Sequence, residues 1–287
     1  MKNEIKLGII LMILATLCFG IMDGVSRYLA EEYNVFIINM YRSWVLVLFV
    51  LIYSIKKGGI KHVSSTKKPL IQIIRGILLI SCVCIGVHSF TVLGLVAAHT
   101  IIAIYPLLVL PLSYYFSNEK IGWRRWSAVF IGFFGIMVIL NPISMSFDFN
   151  LIWPLILACL LAIYSILTRN ISAYDNSETS FFWVAIVGGV VMTIIGPFFF
   201  ELLFLKDIPW FLFLCFLSTC GHFLFIKALE TAQASILQPF IYLQLFFASI
   251  IGIIVFNDLL TLNLIFGGIL IIGSGIFALV RTHNVQN

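Results

Sequence analysis

The sequence predicts an all-α membrane protein: ten transmembrane helices in two inverted five-helix repeats, with both termini cytoplasmic. Three observations predict it: the composition, the spacing of apolar runs, and a self-similarity between the two halves of the chain. Of 287 residues, 62% are hydrophobic and 10% charged, with a mean hydropathy of +1.12. A soluble domain carries about 25% charged residues, so this chain lacks the polar surface to face water and must take lipid as solvent. A spanning helix needs about 20 mainly apolar residues. Ten helices then use roughly 200 residues, leaving loops and tails but no room for a soluble domain.

Apolar runs between turn and charge signals delimit the spans. They are Leu7–Ala30, Val35–Ile55, Pro69–Gly94, Ala97–Phe116, Trp123–Leu140, Leu151–Ile171, Thr179–Phe200, Pro209–Leu229, Ser235–Phe256 and Leu262–Val280. The first follows Lys2 and Lys6 but is too long for a signal peptide and has no small-residue cleavage site after it, so it is read as a span. Pro106 and Pro111 in the fourth span and Pro239 in the ninth leave backbone groups that neighbouring helices or water must satisfy.

Orientation follows from the Lys/Arg bias between alternate loops. With the amino terminus inside, the cytoplasmic set is Lys2, Lys6, Lys56, Lys57, Lys61, Lys67, Lys68, Lys120, Arg124, Arg125, Arg169, Lys227 and Arg281, most of the 17 Lys and Arg. The other side holds Lys206 and, near the membrane edge, Arg27, while Arg42 and Arg75 fall within spans. The pI of 8.9 is therefore a statement about topology, and no nucleic-acid partner is expected. Trp123, Trp153 and Trp210 stand at span ends, where amphipathic rings prefer the headgroup layer.

The chain repeats itself at an offset of about 140 residues. The stretch from Phe19 to Arg27 aligns with that from Leu161 to Arg169, Asn118-Glu119 with Asn257-Asp258, and Gly132 and Gly135 with Gly273 and Gly275. This divides the chain into repeats 1–142 and 143–287. Five helices per repeat is an odd number, so the second repeat enters the membrane from the opposite side. Inverted repeats frame a central site that opens to either face in turn.

With these features the chain resembles the EamA-type family of the drug/metabolite transporter superfamily. The residues that carry the resemblance are the acidic positions after the fourth and ninth spans and Pro106 thirteen residues before Glu119. Asn118-Glu-Lys-Ile-Gly-Trp-Arg-Arg-Trp126 and Gln238-Pro-Phe-Ile-Tyr-Leu-Gln244 look more narrowly like bacterial carriers that take up riboflavin or S-adenosylmethionine. The resemblance implies alternating access around a pocket near the bilayer middle, in a multi-pass protein of the bacterial inner membrane. It departs from the family pattern in lacking a proline near Leu245.

Ionisable groups within spans are costly unless paired or wet, so each requires a reason. Asp23 lies about 24 Å along its helix from Leu7, in the outer half, with Arg27 one turn beyond at a spacing that permits a local ion pair. Arg42 enters from outside on the second helix, and His88 and His99 flank the turn between the third and fourth spans. These five residues are expected to surround one outward-facing vestibule. Asp23 and Arg42 then engage substrate, a coupling proton or an outer gate; the alternative is a structural ion network with Arg27, which also has the option of snorkelling to the interface. His88 and His99 are proton-sensitive candidates, or hydrogen-bonded packing residues.

A deeper set, Tyr105, Tyr164, His222, Tyr242 and Gln244, lies near the expected midplane, and its rings and amide suit a solute of mixed polarity. The alternative is hydrogen bonding between helices. Arg75 and Arg169 are expected to anchor the cytoplasmic face, the alternative being attraction of an anionic group on a substrate. Gly20 and Gly24 permit close helix contact, or else a dimer.

The expected function is secondary transport of a small organic metabolite, such as a vitamin, S-adenosylmethionine, an amino acid or a nucleoside-like solute. Uptake is favoured over export. No phosphate-binding loop supports direct ATP drive. An exporter, a lipid-flippase-type accessory subunit and an intramembrane enzyme are the competing classes, the last opposed by the absence of an HExxH motif and by scattered histidines. No cofactor and no metal are expected. The six cysteines fall in apolar segments without metal-ligand spacing and are expected to be free thiols. The chain is expected to be a monomer or a homodimer surrounded by membrane lipid.

Overall fold

The computed structural model describes residues 2–117, 123–140, 148–171, 173–231, 237 and 240–280. Among them every regular element is helical: α1 (Lys2–Leu29), α2 (Val35–Lys56), α3 (Ile60–Ser64), α4 (Pro69–Leu93), α5 (Leu95–Ile102), α6 (Tyr105–Ser117), α7 (Trp123–Leu140), α8 (Ile152–Ile171), α9 (Ser177–Ile195), α10 (Ile208–Thr231), α11 (Leu243–Phe256) and α12 (Leu262–Val280). Short 3₁₀ turns at Phe149–Leu151 and Gly196–Phe199 precede α8 and follow α9. Among the described residues seven stretches are long and apolar enough to cross a bilayer, and Trp126–Leu140, Leu243–Phe256 and Leu262–Ser274 are shorter apolar helices. Asn118, Glu119 and Lys120, and Gln238 and Pro239, lie outside the described residues.

The helices are apolar outside and polar inside. Leu48, Phe134, Leu212 and Ile254 are exposed, whereas Asp23, Asn39, Arg42, Gln72, Arg75 and His99 are each less than 9% exposed. Water-soluble proteins do not bury charge while leaving such large apolar area uncovered. This inversion fits a multi-pass membrane protein.

The fourth predicted span is not one helix. It divides into α5 and α6 at a turn over residues 103–104. Pro106 becomes the second residue of α6, where its missing N–H would have had no intrahelical partner in any case. The prolines therefore shape this span by ending α5, with Pro111 alone remaining inside a helix.

Packing runs mainly between the two halves of the chain. Helix α1 lies against α10 and α11, α2 against α9 and α10, α4 against α8 and α9, α6 against α8, and α7 against α12. Glycines allow the closest of these approaches. A Cβ on Gly20 would stand 2.8 Å from Phe247 Cβ and 3.2 Å from the Ala248 backbone nitrogen, and one on Gly24 would stand 2.7 Å from Ile251 Cγ2. The Gly20–Gly24 face thus serves the α1–α11 crossing within the chain. On α7 the residue opposite Gly135 is Gly267, whose backbone oxygen lies 2.9 Å from the Gly135 Cβ position. A Cβ on Gly132 would likewise crowd Leu107, whereas Gly273 has open space around it.

Candidate functional site

The predicted vestibule residues separate into three places. Asp23 on α1 meets His99 on α5 and Gln244 on α11: Gln244 Nε2 donates to Asp23 Oδ2 at 2.9 Å, and His99 Nε2 stands 3.1 Å from the same oxygen. The imidazole nitrogen is close enough for an ion pair but not aligned for a hydrogen bond, which leaves Nε2 without a formal partner. Phe90 on α4 stacks on the His99 ring, with centroids 4.8 Å apart and planes 14° apart. His99 reaches α1 because α5 starts afresh after Gly94, whose φ of +84° turns the chain in a region most residues avoid.

Arg42 forms the second place. Its Nε donates to Ser218 Oγ on α10 at 2.7 Å, and the Ser218 carbonyl is paired with His222 Nδ1, also at 2.7 Å. The edge of the Phe19 ring holds His222 at a centroid distance of 5.1 Å. Arg42 and His222, with Asn39 and Ser43, line a cavity of about 30 Å3 whose remaining walls are apolar residues of α2, α4 and α9. Such a volume holds about one water. No whole metabolite fits in this cavity.

His88 stands apart. Its ring packs edge-on against Trp153 of α8 at 4.9 Å and 85°, away from Asp23. Arg27 does not pair locally with Asp23 either. It turns to Asp258, between α11 and α12, at 2.6 Å, and its guanidinium covers the Phe256 ring at 4.2 Å. Asp258 Oδ2 in turn accepts the backbone N–H groups of Leu95 at 2.7 Å and Val96 at 3.2 Å, capping α5. A short local pair gave way to a contact across 231 residues because Asp258 also satisfies orphan donors at a helix start.

The midplane set divides likewise. Gln244 joins Asp23 and His222 joins Arg42. Tyr105 and Tyr242 pack against one apolar core centred on Ile101, Leu107 and Ile271, where the Tyr242 hydroxyl is buried without a hydrogen-bond partner. Tyr164 belongs elsewhere: its ring lies 5.3 Å beneath the Arg75 guanidinium. Arg75 is 2% exposed and is no headgroup anchor. It donates to Thr168 at 3.0 Å and to Gln72, which with Thr66 donates to Asp175. The side chain of Arg169 lies outside the described residues. Sequence reasoning missed Asn39, Ser218, Asp175 and the partner of Asp258. Asp258 alone carried a signal, its place in the repeat alignment. Among the described residues no cluster of His, Cys, Asp and Glu could hold a metal ion.

The EamA-like transporter family profile matches residues 6–141 and 149–280. The chain belongs to this family. Relatives span nearly its whole length at low identity. The S-adenosylmethionine uptake transporter of Rickettsia prowazekii is 25% identical over 283 residues, covering 94% of this chain and 91% of that protein. The riboflavin transporter of Vibrio cholerae is 24% identical over 268 residues, covering 89% and 87%. A solved crystal structure aligns with a TM-score of 0.64 at 11% identity, over 98% of this chain and 99% of that one, and shares its fold. This EamA family member is thus a membrane transporter of the drug/metabolite superfamily. Its charged interior is buried between helices of both halves of the chain.

Proposed function

We propose that this EamA family member is a ten-helix secondary carrier of two inverted five-helix halves, both termini cytoplasmic, that takes up a small organic metabolite across the inner membrane of a bacterium. The observation that carries the reading is the buried polar interior shared by the halves: Asp23 and His99 face Gln244, and Arg42 faces Ser218 and His222. Buried ionisable groups at membrane depth mark solute or ion pathways. The helix pairing supports the repeat. If α5 and α6 form one span, each close pair above has a counterpart five spans along the chain: α1–α10 matches α4–α8, α1–α11 matches α6–α8, and α4–α9 matches α2–α10. Relatives named as uptake transporters favour the inward direction.

Reconstituted protein is expected to take up labelled solute from a panel of vitamins, nucleosides, amino acids and S-adenosylmethionine, and to show counterflow with any hit. A folded, monodisperse preparation that moves none of them would overturn the carrier reading. Export-only behaviour in inside-out vesicles would reverse the direction. Reporter fusions at both ends should report the cytoplasm.

A further inference from the structure

We propose that Arg42 is the seat for the carboxylate of the cargo, and that the group recognised in this cavity is an α-amino-carboxylate; the proposal rests on the carrier reading. Arg42 is 7% exposed, yet among the described residues no carboxylate stands within ion-pair distance of it. Its only hydrogen bond there runs from Nε to Ser218, so the two terminal amino groups of the guanidinium make none. Every other arginine whose side chain is described is either paired with a carboxylate, as Arg27 is with Asp258, or bonded at two points, as Arg75 is to Thr168 and Gln72. The Asp23 carboxylate acts on Arg42 through space only, and among the described residues no carboxylate touches the guanidinium. The remaining donors form the planar fork that matches a carboxylate.

Two further side chains that line the same cavity, Asn39 and His222, carry acceptors. Asn39 is fully buried; its Nδ2 donates to the Val35 carbonyl at 3.0 Å, while Oδ1 has no partner. His222 contributes a second acceptor. The Ser218 carbonyl only accepts, so Nδ1 carries the hydrogen, and in the neutral ring Nε2 presents a lone pair. A fork of donors and two acceptors lining one cavity complement a carboxylate with an ammonium on the adjoining carbon. A neutral polyol or flavin offers no anion to Arg42.

The test compares each transported carboxylate with its neutral counterpart on the full-length protein in proteoliposomes. The probes are the proteinogenic amino acids against their amides, S-adenosylmethionine against its decarboxylated form, and riboflavin. Wild-type protein is expected to prefer the carboxylate of a pair by about tenfold to a hundredfold, the worth of hydrogen bonds to a charged group. Arg42→Gln should remove that preference by weakening the carboxylate member alone, and Arg42→Lys should restore part of it. Equal affinity of wild type for both members overturns the proposal without needing any variant to fold. Transport of riboflavin or another solute without a carboxylate, and of no carboxylate, also overturns it while leaving the carrier reading intact. Transport of nothing in the panel removes both.

Discussion

Asp23 and Asp258 show how alike two buried carboxylates look in a chain and how differently they are held. Asp258 touches a guanidinium and two helix N–H groups, an arrangement saturated by protein. Asp23 has an amide and an off-line imidazole, and its ion pair stays geometrically incomplete. Saturation fits a structural role for Asp258, and incompleteness fits the role proposed for Asp23 in transport. Arg27→Gln should therefore lower stability on the order of 3 kcal/mol by stranding the Asp258 charge. Arg27→Gln with Asp258→Asn should recover part of the loss, read as melting temperature in detergent. Asp23→Asn keeps a Gln244-sized partner and should melt near wild type, yet reduce counterflow at least tenfold, as expected when a charged hydrogen bond is lost. Full counterflow in that variant would remove Asp23 from the site.

At the scale of elements, the sequence contained the helices and the reasons for their ends. Asn34 and Asn176 cap α2 and α9 by accepting from Phe36 N at 2.9 Å and Thr179 N at 2.8 Å. Pro106 announced that the fourth span is irregular, but the break before it and the fresh start at Gly94 needed the fold. The crossing partners were also hidden, because small residues advertise close approach without naming what approaches. Gly20→Ala should cost about 1–3 kcal/mol, since its Cβ has Phe247 and the Ala248 backbone in the way. Gly273→Ala meets open space and should leave the melting temperature unchanged or raised. If instead Gly20→Ala separated a dimer without loss of stability, the Gly20–Gly24 face would serve an intermolecular contact.

At the scale of the whole molecule, the two halves are interlocked rather than side by side. Helix α1 packs on α10 and α11, while α4 packs on α8 and α9, so each half supplies partners to polar residues of the other. Arg42 has Ser218, Arg75 has Thr168, and Arg27 has Asp258, each from the other half. Segments 1–142 and 143–287 expressed separately should each be degraded or aggregate, and co-expression should recover a folded complex detectable by co-purification. A stable isolated half would contradict this account. The cavity between the halves is about 30 Å3, and the proposed carrier reading requires it to widen through a relative motion of the two halves.

The sequence by itself determined the lipid solvent, the apolar helices and the scarcity of charge within them, because hydropathy is summed over local residues and needs no partner. It also singled out Asp23, Arg42, His99, His222 and Gln244 as anomalies, since a polar side chain in an apolar run is visible in one dimension. Which anomalies meet was decided only by tertiary structure. Arg27 left its neighbour Asp23 for Asp258, His88 left the vestibule for Trp153, and Arg75 sank from the membrane edge into the core. Pairing in lipid follows distance in space and the satisfaction of every buried donor, and both depend on contacts between residues far apart in the chain.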